Sequence, residues 1–129
     1  MKKNICVFGG SVSGKNIENQ KTAKIIGKII AENNFNIVFG GGENGIMGAV
    51  AQSGIENGAK TTGIIPNFLL KKDILDSAHS KIFNSKLIKT KTMHQRKKMM
   101  YDSSHGFLVL PGGIGTLDEC FEVLTWCQL

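Results

Sequence analysis

Two short segments hold most of the residues able to do chemistry. Pro111-Gly112-Gly113-Ile114-Gly115-Thr116-Leu117-Asp118-Glu119 joins an apolar strand pattern to an amphipathic helix pattern. Its glycines let the backbone come close to a ligand without Cβ obstruction. The free N–H groups and dipole of the following helix favour a phosphate there. Thr116 can cap that helix and also donate its hydroxyl to a phosphate oxygen. Glu119, one turn on, has two readings: a carboxylate turned to a ligand, or the distal member of a capping box begun by Thr116. Asp118 reads as a first-turn carboxylate favoured by the dipole. The second segment is Met93-His94-Gln95-Arg96-Lys97-Lys98. Arg96 can bind a phosphate or sugar bidentately and Lys97 adds a point charge. The competing reading is a basic, solvated helix face, with His94 an ordinary surface histidine.

A third Gly-rich turn is a decoy. Gly9-Gly10-Ser11-Val12-Ser13-Gly14-Lys15-Asn16 approaches the pattern G-x-x-x-x-G-K-[ST], but Asn16 lacks the hydroxyl that would coordinate Mg²⁺. What remains is a strand–Gly–helix turn whose amides, with Ser11 and Ser13, can contact an anion or sugar, or a tight turn and nothing more. Cys6 belongs to the first strand's core, and Cys120 and Cys127 share a helix face. The Cys, His and carboxylates have no metal-ligand spacing.

The elements that must position these residues alternate. Strands are expected at Ile5–Phe8, Asn36–Phe39, Thr61–Ile65, within Lys81–Lys89, and at Phe107–Leu110. Helices are expected at about 15–33, 45–57 and 93–103, and from Thr116 to the end. Such alternation implies right-handed βαβ units and a parallel sheet. Ligands then bind beyond the carboxyl ends of the strands, where the turns Gly9–Gly14, Gly40–Gly48 and Pro111–Gly115 would gather.

The 129 residues suit one domain, and a hydrophobic share of 41% with 20% charged is globular. No apolar run is long enough for a membrane span, and the N-terminal run is too short for a signal peptide. Three cysteines point to a reducing cytoplasmic setting. The net charge of +6 attracts anions, but an aromatic share of 7% makes a poor single-strand nucleic-acid platform.

Taken together, these pieces resemble the Lonely Guy family, the cytokinin riboside 5′-monophosphate phosphoribohydrolases, often mislabelled lysine decarboxylases. The matching residues are Val7-Phe8-Gly9-Gly10-Ser11, Gly40-Gly41-Gly42 through Gly45, Met47-Gly48, Met93 to Lys97, Pro111 to Glu119 and Thr125 to Leu129. The resemblance implies an α/β, Rossmann-like three-layer fold with helices on both faces of a parallel sheet, a single nucleotide-monophosphate-binding domain over residues 1–129. It also implies hydrolysis of the N-glycosidic bond of a purine riboside 5′-monophosphate, a homodimer, and no metal or redox cofactor. Carried over by motif, Gly112, Gly113, Gly115 and Thr116 would cradle the 5′-phosphate. Arg96 and Glu119 would be the catalytic pair with Lys97 beside them, and Ser11, Asp73 and Thr125 would approach the substrate.

The chain departs from the pattern in two places. Asp73 stands where the family usually has Glu, and the Lys-rich stretch Ile74 to Thr92 is longer than expected. The family usually continues past the last helix with a further strand and helix, so a truncated edge and interface are expected after Leu129. Two alternatives accompany the enzyme reading: a nucleotide-binding or carrier module without hydrolysis, and a DNA-binding relative.

Overall fold

The computed structural model describes residues 2–10, 17–42, 45–69 and 86–129. Five parallel strands form one sheet: β1 (Asn4–Phe8), β2 (Asn36–Phe39), β3 (Thr61–Pro66), β4 (Lys86–Thr90) and β5 (Gly106–Val109), in the order β4-β3-β2-β1-β5. Helices α1 (Ile17–Glu32) and α2 (Gly45–Glu56) follow β1 and β2. Helices α3 (Met93–Asp102) and α4 (Ile114–Gln128) follow β4 and β5. The fold is the expected α/β one.

Alternation along the strands makes the three layers. Val7, Ile37 and Phe39 pack with Ala23 and Ile30 of α1 and Val50 and Ala51 of α2. Cys6, Phe8, Val38 and Ile64 take the other face, under Met100 of α3 and Val123 of α4. Cys6 is thus a core residue, and burial pushes its thiol well above the ordinary cysteine range. Phe107 of β5 stacks between Phe8 at 6.1 Å and Tyr101 at 5.6 Å, and Trp126 of α4 closes on Tyr101 at 5.1 Å.

The strand order creates the site. From β1 the chain steps outward through β2, β3 and β4, then returns to the opposite side of β1 for β5. α1 after β1 and α4 after β5 pack on opposite faces of the sheet, and in open α/β sheets ligands bind beyond the carboxyl ends of strands at such a switch. The turns there touch: Gly10 N–H donates to Pro111 O at 3.0 Å, and Leu110 N–H to Phe8 O at 2.8 Å.

Two boundaries differ from expectation. The fourth strand is Lys86–Thr90, the start of the expected Lys81–Lys89 segment lying outside the described residues. The last helix starts at Ile114 rather than Thr116, because extended Gly113 (φ −91°, ψ −157°) is its N-cap. Thr116 is then inside the first turn, its N–H on Gly113 O at 3.2 Å. A capping box begun by Thr116 cannot form, and that explanation of Glu119 falls away.

Candidate active site

Arg96 is 6% exposed and is not part of a solvated face. Two side-chain caps start α3: the Thr92 hydroxyl accepts from Gln95 N–H at 3.1 Å, and Gln95 Oε1 accepts from Lys91 N–H at 2.8 Å. So anchored, α3 drives the guanidinium under the sheet's carboxyl edge. There Nη2 donates to Gly40 O at 2.9 Å and Nη1 lies 3.8 Å from Met93 Sδ. Gly40 must lack a side chain, since a Cβ there would overlap the guanidinium.

Glu119 is half-buried on the second turn of α4. Burial pushes its carboxyl up to about 7, against the opposing pull of Arg96; Asp118 adds to the rise and Lys97 opposes it. A carboxyl poised near neutrality beside a buried guanidinium suits acid–base or cation-stabilising work.

The turn before α4 leaves backbone amides without intrahelical partners. Its intrahelical bonds begin with the N–H groups of Thr116 and Leu117, both on Gly113 O. Those of Ile114 and Gly115 come earlier and lie at the positive end of the helix. A Cβ on Gly112 would strike Thr116 and come within 2.8 Å of Gly10 N, so this glycine is needed for packing. Gly113 and Gly115 differ. A Cβ on either would meet nothing among the described residues, and neither has a positive φ. The bare backbone at these two positions leaves room for something outside the fold. Thr116 is buried beneath the turn with its hydroxyl toward Gly112.

The other expected residues divide. Lys97 lies beside the pair, 14% exposed, but its Nζ is held by Asp118 Oδ2 at 2.8 Å and by Glu122 Oε2. Burial would lower this ammonium, yet the two carboxylates outweigh that and raise it. Asp118 is therefore a partner of Lys97 as well as an N-terminal carboxylate. His94 is exposed, its Nδ1 3.5 Å from Glu122 Oε1. Thr125 is exposed, and its hydroxyl donates to Phe121 O at 2.8 Å. Nine residues past Thr116, it sits about 13 Å further along the helix, so this chain does not bring it to the turn. Ser11 and Asp73 lie outside the described residues. Glu122 was missed by sequence reasoning. The signal was its i, i+4 spacing from Asp118, opposite the basic run of α3.

Comparisons with known proteins bear on the family and the fold. Residues 47–129 match the family described as "Possible lysine decarboxylase". A cytokinin riboside 5′-monophosphate phosphoribohydrolase of Arabidopsis thaliana is 40% identical over 127 residues, 98% of this chain and 56% of that protein. A bifunctional cytokinin biosynthesis protein of Fusarium pseudograminearum is 39% identical over 97% of this chain and 28% of its own length. The chain thus spans about half or less of these relatives. Among solved structures, the molybdenum cofactor carrier protein of Chlamydomonas reinhardtii superposes with a TM-score of 0.78 at 23% identity, covering 97% of this chain and 72% of that one. At that identity the likeness speaks to the fold alone. The chain belongs to the family described as possible lysine decarboxylase, the Lonely Guy family to which its motifs point.

Proposed function

We propose that the protein hydrolyses the N-glycosidic bond of a purine riboside 5′-monophosphate, of cytokinin type or AMP, releasing the free base and ribose 5-phosphate. The observation that carries this reading is the meeting, at one crevice, of buried Arg96, half-buried Glu119 and an anion-ready helix start. The 5′-phosphate would lie on the amides of Gly113 to Thr116, with Gly112 beneath. Ser11 and Asp73 are assigned to the substrate by motif, and Thr125 by motif alone.

The chemistry then follows from charge. Loss of the base builds an oxocarbenium-like cation at C1′. Ionised Glu119 stabilises that cation and orients the water, while Arg96 holds substrate and keeps the carboxylate in place. Water adds across the broken bond, its hydroxyl to C1′ and its proton to the base. None of these steps calls on a metal or a redox cofactor. Binding of the remote phosphate positions the reacting carbon.

No helix among the described residues is long and apolar enough to cross a membrane. Three free thiols suit a cytoplasmic setting. Homodimerisation is supported by an apolar seam on α4, where Ile114, Leu117, Phe121 and Leu124 stand exposed at helical spacing.

The test is turnover of AMP against adenosine. The proposal expects AMP to be cleaved, and adenosine to lose both kcat and apparent affinity. Equal turnover of the two would remove the phosphate cradle from the account. Binding of AMP without cleavage would favour the carrier reading.

A further inference from the structure

Arg96 and Glu119 stand on different helices, so their mutual geometry depends on how α4 lies against α3. Apart from Val123 in the core and Trp126 on Tyr101 of α3 near its far end, apolar packing anchors α4 thinly. Of its 15 residues, Thr116 and Val123 are the buried ones, while Leu117, Phe121 and Leu124 face outward. Near the site, charge joins the two helices. Glu122 sets Oε2 against Lys97 Nζ and Oε1 3.5 Å from His94 Nδ1, two groups one turn apart on α3. Asp118 also reaches Lys97, but its side chain is 58% exposed, against 21% for Glu122. The less solvated pair is the harder to break from one side, because the charge left behind is itself largely buried. Glu119 follows Asp118 directly, so any slip of α4 that the Lys97–Glu122 pair prevents would carry Glu119 with it.

We infer that Glu122 is a positioning residue. By gripping Lys97, it holds α4 on α3 and keeps the Glu119 carboxyl within the field of the Arg96 guanidinium, without itself touching substrate. The inference rests on the reaction proposed above for its kinetic consequence, but its structural consequence can be read without turnover.

Two variants test it. Glu122→Gln keeps the size and removes the charge, whereas Glu122→Asp keeps the charge and draws it back by one methylene. AMP kinetics are measured for both, and the Glu119 carboxyl is titrated by carbon NMR without substrate. The groups facing that carboxyl are Arg96 and Lys97 of α3, Asp118 of α4 and the Cys6 thiol of β1.

In Glu122→Gln, kcat should fall about tenfold or more with KM within about twofold; Glu122→Asp should lie between it and wild type. The Glu119 midpoint should drop below about 7 in both variants, because water entry relieves burial, the largest cause of its rise, and outweighs the loss of the opposing Arg96 field. A midpoint that moves in Glu122→Gln alone reports charge without positioning, and overturns the inference. So does an unmoved midpoint, or a rise in KM matching the loss in kcat. If wild type releases no base, the reaction reading fails and the midpoints alone decide for or against positioning. Should Glu122→Gln not fold, Glu122→Asp carries the same comparison.

Discussion

Glu119 is the residue on which most of the proposed chemistry turns, and its raised carboxyl has two measurable consequences. If ionised Glu119 is the working form, kcat/KM for AMP should rise with pH through about 7 and be lost below it. A pH–rate profile flat between pH 5 and 8 would contradict this role. The second consequence is in stability. Folding raises this carboxyl from 4.5 to about 7, so the protonated form is the one the fold prefers. That contribution is fully present below the unfolded value and is lost as pH climbs through the folded one. Glu119→Gln cannot ionise, so it should gain on wild type between these pH values and stay ahead by roughly 3 kcal/mol above them. Urea titrations at pH 5 and pH 8 measure the difference. Wild type equal to the variant at both would show that the burial is weaker than described.

At the scale of elements, the glycines separate packing from ligand space. Gly40→Ala should cost about 1–3 kcal/mol, because the new Cβ meets the Arg96 guanidinium, and base release should fall with it. Gly115→Ala, inside the first turn of α4, meets nothing among the described residues, so its melting temperature should hold or rise while kcat/KM for AMP drops about tenfold. Thermal melts beside AMP kinetics check both, and a destabilised Gly115→Ala would mean that this backbone serves the fold. The parallel α/β sheet and the gathering of Gly-rich turns were legible because short apolar runs alternate with helical patterns; the strand order was not. Nor was the start of α4. Thr116-x-x-Glu119 satisfies the capping-box pattern in sequence, but extended Gly113 begins the helix two residues before Thr116. The caps that do form, Thr92 on Gln95 N–H and Gln95 on Lys91 N–H, were hidden inside a run read for its charge. Arg96 and Lys98 are near neighbours in that run, yet one is buried and the other half in water. Only the packing of α3 on the sheet separates them.

For the whole molecule, the exposed seam on α4 bears on assembly. Ile114 is 87% and Phe121 64% exposed, with Leu117 and Leu124 between and beyond them. Phe121→Glu should shift a homodimer to monomer in sedimentation velocity without lowering the melting temperature; an unchanged sedimentation coefficient would place assembly elsewhere. Composition could not locate this seam, because it consists of ordinary helix-periodic residues whose outward direction appears only in the fold. The account as a whole depends on one crevice with one pair of opposed groups. Its most direct test incubates purified protein with AMP and isopentenyladenosine 5′-monophosphate, with and without Glu119→Gln, following free base and ribose 5-phosphate by chromatography. The account predicts stoichiometric release of both products by wild type and a loss of about a thousandfold or more in the folded variant. Release undiminished in Glu119→Gln, or none from folded wild type, would contradict it.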